Sequence, residues 1–249
     1  GHGRDGRQCA MFAAKAIGEF LMGHPNLFSD PASALKDSSI HVNAKMHING
    51  TCRTNYSGTT ACYGLVIGRK LIMANVGDSR AILGRRGRWN RMVAVELTVD
   101  HKPEDPEERV RIENSGGAVA QQEYDPGQFE GPFRVFRAGT SAPGLAMSRS
   151  LGDLEAEKVG VIPDADTSTW EFKRGDELLL IASDGLWEVF KSQEAIEWVV
   201  DYMADDRRMD IMPVTQALVE EAQRRWTKLD DDDIVVDDTS VLLITLPQL

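Results

Sequence analysis

Apolar side chains near the start of the chain recur at intervals of three and four positions. This spacing predicts an amphipathic helix over residues 7–23, because it places the apolar side chains on one helix face. The positions concerned are Phe12, Ala13, Ala16, Ile17, Phe20 and Leu21. A weaker pattern of the same kind predicts a second helix over residues 31–46. Pro31 begins that helix, since proline is favoured in the first helical turn.

After residue 60 the helical spacing gives way to short apolar runs separated by glycine or basic residues. Such runs with tight connections are typical of antiparallel strands, whereas parallel strands need crossovers of about a dozen residues. Residues 77–80, which separate two of these runs, predict a two-residue hairpin turn. The predicted strands are residues 60–67, 71–76, 80–84 and 89–98.

The second half of the chain alternates helical and strand-like patterns. Residues 120–133 carry glycine, proline and glutamine with little periodicity, and they predict a surface loop. Strands and helices that share one core, with no repeat or linker between them, indicate a single α+β domain over residues 1–249. The remaining predicted elements are helices at 104–115, 192–204 and 213–228, and strands at 134–138, 177–183 and 240–246.

Composition argues against several classes of protein. The chain has 28 Lys and Arg against 39 Asp and Glu, a net charge of −11, which is unlike a general nucleic-acid binder. It has no run of about 18 apolar residues, and we expect no membrane-spanning helix. Three cysteines without a C-x-x-C pair favour a reducing compartment, and the polar start of the chain is not a secretory signal. We therefore expect an intracellular protein, cytoplasmic or nuclear.

Aspartates at the ends of apolar runs are the candidate chemical groups. Asp184 follows the predicted strand 177–183, where a carboxylate costs free energy unless it is hydrogen-bonded or binds a cation. Taken alone, this position favours a helix N-cap before Leu186 and leaves the cation alternative open. Asp237 and Asp238 precede the last predicted strand. Together with Asp184 they would form an oxygen-rich pocket of the kind that magnesium and manganese prefer.

Other notable patterns have simpler explanations. Asp100 follows a predicted strand, where it would serve as N-cap of the helix at 104–115. The aspartates at 230–233 are typical of a solvated loop. Residues 1–6 match G-x-G-x-x-G, but no strand precedes them in this sequence and we expect no dinucleotide site. Motifs for a nucleophilic serine, a zinc protease or a Walker-type loop are missing, so a hydrolase would have to activate water on a cation.

Seven short motifs occur along the chain in one order, and together they resemble the metal-dependent protein phosphatase 2C family of serine/threonine phosphatases. Each motif alone is weak evidence, whereas seven in order are specific. The motifs are Gly-His-Gly at 1–3, Ser-Gly-Thr-Thr-Ala at 57–61, Ala-Asn-Val-Gly-Asp-Ser-Arg-Ala at 74–81, Asp-His-Lys-Pro at 100–103, Leu-Ala-Met-Ser-Arg-Ser-Leu-Gly-Asp at 145–153, Ala-Ser-Asp-Gly-Leu-Trp at 182–187 and Asp-Asp-Thr-Ser-Val at 237–241.

The resemblance implies a four-layer fold. Two antiparallel sheets form a sandwich, and pairs of helices cover both outer faces in the order α-β-β-α. The family also has strands upstream of the position of Gly1. We expect such strands in the native chain, because a sandwich without its edge strands would expose unpaired, apolar sheet surface.

The resemblance also implies hydrolysis of phosphoserine and phosphothreonine in proteins by a metal-activated water, without a phosphoenzyme. It replaces the N-cap interpretation of Asp184 by that of a ligand bridging two magnesium or manganese ions. The carbonyl oxygen of Gly1 and the carboxylate of Asp237 become further metal ligands. Asp100 corresponds to a ligand of a weaker third ion in some members. His2 matches the position proposed as general acid.

The resemblance leaves some features of the site open. We expect a further metal-bridging aspartate and a phosphate-binding arginine upstream of Gly1. Glu188 stands where many members have aspartate, and residues 121–143 form a longer segment than compact members need. We expect a monomer that acts on phosphoproteins and binds neither nucleic acid nor membrane. The alternatives are a non-catalytic binding module, against which Asp184 and Asp237 argue, and a metal-dependent hydrolase of small phosphoesters.

Overall fold

Helices of very different length alternate with short strands along the chain. The computed structural model describes residues 1–50, 52–125, 127–204, 210–228 and 236–247. Within those ranges the helices are α1 (Gly6–Gly23), α2 (Pro31–Asn49), α3 (Pro106–Asn114), α4 (Leu154–Glu157), α5 (Asp184–Trp187), α6 (Ser192–Ala204) and α7 (Ile211–Trp226). The strands are β1 (Gly58–Thr59), β2 (Ala61–Ile67), β3 (Lys70–Val76), β4 (Arg80–Arg86), β5 (Met92–Glu96), β6 (Gly117–Asp125), β7 (Gln128–Arg137), β8 (Pro143–Leu145), β9 (Leu151–Gly152), β10 (Asp166–Glu171), β11 (Asp176–Ala182) and β12 (Val241–Thr245).

The strands of the described residues form four sheets. Their orders are β12-β11-β4-β5, β10-β3-β2, β6-β7-β8 and β1-β9. Neighbouring strands run antiparallel in the four-stranded sheet, in β6-β7-β8 and in β1-β9. The α+β class with antiparallel sheets is thus confirmed. The four-layer order of sheets and helices stays a prediction.

The long helices follow the predictions closely. The predicted helix at 7–23 corresponds to α1, and those at 192–204 and 213–228 correspond to α6 and α7. Asp30 caps α2, because its side chain accepts a hydrogen bond of 3.2 Å from the backbone N–H of Ser33, and Pro31 lies in the first turn. Apolar periodicity over several turns therefore identifies these elements without knowledge of their surroundings.

Residues 77–80 do not form the predicted hairpin turn. The strands on either side, β3 and β4, belong to different sheets, so the segment leads from one sheet to another. Gly77 has a φ of +100°, a value that glycine adopts without strain. The prediction was wrong because two short apolar runs around a turn have the same sequence pattern in both cases: when the two strands pair with each other and when they join different sheets.

The surface loop predicted for residues 120–133 is also wrong. β6 and β7 form a long antiparallel hairpin in which Gly117 pairs with Arg137 and Gln122 pairs with Glu130. Most side chains at the outer end of this hairpin are exposed polar groups. An apolar face is the signal by which strands are recognised, and a hairpin end that buries neither face does not provide it.

The residues before α3 correct a further prediction. The helix begins at Pro106, and Asp105 occupies its N-cap position. Asp100 lies five residues earlier, after the end of β5 at Glu96, so it is not the cap of this helix. The helix ends at Asn114, one residue before the predicted end, and Gly116 follows with a left-handed φ of +82°.

Two compact units divide the chain. The first comprises Gly1–Leu65, Ile72–Asp78 and Asp100–Ser168, and the second comprises Val66–Leu71, Ser79–Val99 and Thr169–Leu249. The assignment of the whole chain to a single domain stays a prediction. Among the described residues, no helix combines the length and hydropathy that crossing a membrane requires.

Each unit has its own buried apolar cluster. In the first unit, α1 packs on α2, and Ile112, Val135 and Val161 belong to one buried group. In the second unit, α6 and α7 cover a face of the sheet β12-β11-β4-β5, with Leu180 and Phe190 in the buried cluster. Burial of these side chains stabilises each unit by about 25 cal/mol per Å² of apolar surface removed from water.

Candidate active site

The backbone of His2 is held against β1 in the first unit. The N–H of His2 donates to the carbonyl oxygen of Gly58 at 2.9 Å, and the N–H of Gly58 donates to the carbonyl oxygen of His2 at 3.2 Å. Gly3 follows with a φ of +76°, and a Cβ at that position would lie 2.2 Å from the carbonyl oxygen of Tyr56. Glycine is therefore required beside His2, and the Gly-His-Gly motif has a steric reason.

The imidazole of His2 is bound by a buried carboxylate. Its Nε2 lies 2.7 Å from Oδ2 of Asp153, and Oγ of Ser150 donates to the same oxygen at 2.7 Å. The side chain of Asp153 is 5% exposed, whereas that of His2 is 29% exposed. An ionised carboxylate can only accept hydrogen bonds, so Nε2 carries the hydrogen of this bond and Nδ1 is the ring nitrogen that the bond leaves unused.

Gly58 makes this pair possible. A Cβ at residue 58 would lie 2.1 Å from Oδ2 of Asp153, so any other residue would displace the carboxylate. β1 pairs with β9, where Gly58 stands opposite Gly152, and the N–H of Asp153 donates to the carbonyl oxygen of Ser57 at 3.0 Å. Three of the seven motifs, which are distant in the sequence, thus converge on His2.

A cavity of about 300 Å³ opens beside this pair. His2 and Asp153 line it together with Tyr56, Leu145 and Met147, and its lining is mainly apolar. The cavity lies entirely in the first unit. Its size and its few polar groups are those of a site that binds a small molecule or a side chain.

Asp78 is another buried acid of the first unit, and its sequence pattern indicated no role beyond a turn. Its Oδ2 forms an ion pair of 2.7 Å with Nζ of Lys102, while its buried Oδ1 has no hydrogen-bond partner. Nδ1 of the neighbouring His101 accepts the N–H of Gly77 at 3.0 Å. Most buried polar atoms are satisfied, so the Oδ1 atom has the environment that a cation or water would complete.

Asp184 lies in the second unit, where it is the first residue inside α5. The N-cap position belongs to Ser183, so the initial interpretation of Asp184 as the cap is wrong. Oδ1 of Asp184 accepts the N–H of Gly185 at 3.0 Å, and the side chain is half-buried.

The segment that carries Asp237 and Asp238 lies beside the Asp184 turn. The N–H of Ser183 donates to the carbonyl oxygen of Ser240 at 3.0 Å, and the N–H of Ser240 donates to Oγ of Ser183 at 3.0 Å. A Cβ at Gly185 would lie 2.7 Å from the carbonyl oxygen of Asp238. These acids are predicted to form one pocket with Asp184, and the pairing of β11 with β12 brings the two backbone segments together.

The other residues predicted for the metal site are partly or fully exposed to solvent. Asp100 is half-buried, whereas Gly1 and Glu188 are exposed. Within the part of the chain that the structure describes, no group of three or more His, Cys, Asp or Glu side chains has the arrangement of a metal site. The aspartates at 230–233 lie outside the described residues.

The donor atoms nevertheless suit a hard cation. The candidate ligands offer carboxylate and carbonyl oxygens, which magnesium and manganese prefer over nitrogen or sulfur. The buried, unpartnered Oδ1 of Asp78 is one oxygen that such an ion would satisfy. Residues 184, 237 and 238 contribute three carboxylates on two adjoining segments of the second unit. These residues therefore fit a divalent cation by their chemistry.

Glu108 organises a charged network that supports the segment before Asp153. It accepts hydrogen bonds from both terminal nitrogens of Arg111, at 2.7 and 2.8 Å, from Nη2 of Arg149 at 2.8 Å and from Oγ of Ser148. Burial of Glu108 favours its protonated form, but these hydrogen bonds outweigh burial and lower the pKa of Glu108 to about 2.

Comparison with protein families decides the assignment. The family model described as "Protein phosphatase 2C" matches residues 2–230, nearly the whole chain. This chain belongs to the protein phosphatase 2C family. The resemblance inferred from the seven motifs is thereby confirmed, and the matched region begins at His2 of the Gly-His-Gly motif.

Two plant proteins show the extent of the similarity. "Probable protein phosphatase 2C 12" of Oryza sativa subsp. japonica is 41% identical over 171 residues, which cover 69% of this chain and 41% of that protein. "Probable protein phosphatase 2C 35" of Arabidopsis thaliana is 32% identical over 263 residues, which cover all of this chain and 72% of that protein. The chain therefore spans less than half of the rice relative and most of the Arabidopsis one.

Solved structures support the fold. The serine-threonine phosphatase 2C from Toxoplasma gondii matches with a TM-score of 0.76 at 18% identity, covering 95% of this chain and 80% of that one. A sex determining protein of C. elegans matches with a TM-score of 0.78 at 20% identity, covering 98% of this chain and 55% of that one. At such identities the likeness concerns the fold alone.

Proposed function

We propose that this chain catalyses the metal-dependent hydrolysis of phosphoserine and phosphothreonine in proteins. The observation that carries the proposal is the buried carboxylate–imidazole pair of Asp153 and His2 at a cavity, in a chain that the phosphatase 2C family model matches over residues 2–230. An imidazole that a carboxylate holds at the edge of a cavity is placed to exchange a proton with a bound substrate.

Two magnesium or manganese ions, with a third bound more weakly, would be held by oxygen ligands. The proposed ligands are Asp184 and Asp237, the carbonyl oxygen of Gly1, and Asp100 for the third ion. The unpartnered Oδ1 of Asp78 adds a further candidate. When bound, such ions activate water and neutralise the charge on the phosphoryl oxygens.

His2 would serve as general acid for the leaving oxygen. A serine or threonine alkoxide leaves poorly, so a proton must reach it in the transition state. Nε2 is bonded to Asp153, and Nδ1 is the ring nitrogen from which the proton would be donated. The apolar wall of the cavity, formed partly by Tyr56 and Met147, would accommodate the carbon atoms of the substrate next to the leaving oxygen.

The expected partners follow from this activity. We infer phosphoprotein substrates and a monomeric enzyme in the cytoplasm or nucleus, without binding of nucleic acid or membrane. The net charge of −11 and the presence of only three cysteines, without a C-x-x-C pair, support this inference.

The experiment that tests the function measures phosphate release from a phosphothreonine peptide by the full-length protein. We expect turnover with magnesium or manganese, complete loss with excess chelator, and recovery when manganese is restored. p-Nitrophenyl phosphate and a small aliphatic phosphate serve as comparison substrates. Turnover that persists in chelator while metal analysis finds no metal would reject the metal dependence. Binding of the peptide without turnover would indicate a non-catalytic module, and preference for the small phosphates would indicate a different hydrolase.

A further inference from the structure

Asp153 combines an unusual backbone conformation with a buried charge. Its φ is +51°, in the left-handed region that few residues other than glycine, asparagine and aspartate adopt. The residue is 4% exposed. A carboxylate at such a depth costs free energy unless hydrogen bonds compensate it. The side-chain donors that meet its Oδ2 are Nε2 of His2 and Oγ of Ser150.

The contact determines how the His2 ring is held. The backbone of His2 is fixed by two hydrogen bonds to Gly58, and its Nε2 is fixed by Asp153. Two attachment points define the direction of the ring and the nitrogen that it presents. With Nε2 bonded to the carboxylate, Nδ1 is the nitrogen available to a leaving oxygen. Ser150 and the close approach of Gly58 in turn hold the carboxylate in place.

We propose that Asp153 is a positioning residue for His2, which orients the imidazole so that Nδ1 faces the leaving oxygen of the phosphorylated side chain. The proposal rests on the proposed function, since it needs a reaction in which His2 protonates a leaving group. A carboxylate that orients a catalytic imidazole in this manner contributes up to about 10⁴-fold to the turnover of serine proteases. Asp153 touches neither the reacting atoms nor the metal ligands in this role, and acts through His2.

The test is the substitution Asp153→Asn in the full-length enzyme at saturating manganese. Asparagine has nearly the same shape and tolerates a φ of +51°, so the turn after β9 is expected to persist. We expect kcat for a phosphothreonine peptide to fall by about 10–100-fold, which is part of the usual contribution of a general acid. We expect kcat for p-nitrophenyl phosphate to fall by less than about 3-fold, because nitrophenolate leaves without a proton. KM and the manganese concentration at half-maximal activity should stay unchanged.

Glu157→Gln is the matched control. Glu157 ends α4, three residues after the helix begins, and its Oε1 accepts hydrogen bonds from Nε2 of His47 at 2.9 Å and from Nδ2 of Asn43 at 2.6 Å. The substitution removes the charge from a second carboxylate–histidine pair of the same unit without touching His2. We expect any loss of activity in this variant to be equal for the peptide and the aryl phosphate.

A double-mutant cycle tests whether Asp153 acts through His2. In a His2→Ala background, Asp153→Asn should lower the peptide turnover by no more than about 2-fold, because the group that it positions is missing. Should Asp153→Asn fail to fold, Ser150→Ala replaces it. That variant removes only the second donor to the carboxylate, and we expect a smaller loss with the same preference for the peptide.

The outcomes separate this role from the function on which it rests. Wild-type enzyme without turnover on either substrate would reject the proposed function and this role with it. Wild-type turnover combined with equal losses on the two substrates, or with multiplicative losses in the double mutant, would reject the positioning role alone. A marked increase in the manganese concentration that Asp153→Asn needs for half-maximal activity would also reject the positioning role. The carboxylate of Asp153 would then support metal binding.

Discussion

At the scale of single residues, we expect a substitution at Asp184 to lower activity strongly without lowering stability. Asparagine at this position keeps an oxygen that can accept the N–H of Gly185 and loses only the negative charge. Removing charge near Asp237 and Asp238 relieves repulsion between acids in the metal-free protein. We expect Asp184→Asn to hold or raise the melting temperature of the metal-free protein. Loss of a group that supports a metal ligand typically lowers activity by about 10–100-fold, and we expect the turnover of Asp184→Asn to fall by more than that.

Calorimetry in chelator and turnover at saturating manganese measure the two quantities. Asp201→Asn is a suitable control, because Asp201 is an exposed aspartate on α6 and its substitution should change neither quantity. A large loss of stability with nearly normal turnover would assign Asp184 a purely structural role at the start of α5.

The acids of this site differ in how far the sequence reveals them. Asp184 and Asp237 could be singled out because each adjoins a strongly apolar strand, where a charge is unexpected. Asp153 adjoins no such strand, and Asp78, which lies between the apolar runs 71–76 and 80–84, was explained by a turn. The partner of Asp153 lies 151 positions away, and the burial of Asp78 depends on β3 and β4 parting into different sheets. Contacts between distant segments of this kind leave no local pattern.

At the scale of elements, Glu108 connects α3 to the segment that leads into β9. Its carboxylate is 7% exposed and receives hydrogen bonds from Arg111, Arg149 and Ser148. Replacing it with glutamine would leave Arg111 without its counter-charge and Arg149 with only Asp166, and removing one partner of a buried ion pair in this way costs about 3–5 kcal/mol. We expect Glu108→Gln to lower the free energy of unfolding by that amount and the melting temperature by about 10 °C.

Urea unfolding measures this effect, with Glu113→Gln as control. Glu113 lies on the same helix, is half exposed and forms an ion pair with Arg109 at 4.0 Å. A surface pair contributes about 0–1 kcal/mol, so the control should remain close to the wild type. A loss below 1 kcal/mol in Glu108→Gln would show that the network does not connect α3 to its surroundings in solution.

Elements with an apolar periodicity could be predicted, and elements held only by distant pairing could not. The helices α1, α6 and α7 follow their pattern almost to the residue. By contrast, β1 and β9 have two residues each and exist because Gly58 and Gly152 meet across a long separation. The hairpin of β6 and β7 is mostly polar at its outer end and gives no alternation to recognise. The hydrophobic pattern predicts an element when its buried side chains are close in sequence and recur at regular intervals.

At the scale of the whole molecule, the acidic composition affects stability through a few carboxylates whose pKa differs from the ordinary value. Hydrogen bonding from His101, with help from Arg149, lowers the pKa of Asp166. The pKa of Glu108 falls from 4.5 to about 2 for the reasons given above. A carboxylate with a lowered pKa in the folded state stabilises that state when ionised, so its contribution is complete above the pKa of the unfolded chain.

The contribution of Glu108 is present above about pH 4.5 and is lost as the pH falls toward 2, and a shift of this size corresponds to about 3 kcal/mol. We expect the wild-type protein to lose stability steeply over this interval and Glu108→Gln to lose less, since its amide does not titrate. The difference in unfolding free energy between the two proteins should therefore narrow from pH 6 to pH 3, and urea titrations at both pH values measure it. A difference that stays constant over this interval would mean that Glu108 keeps an ordinary pKa, and that packing rather than charge links α3 to the segment before Asp153.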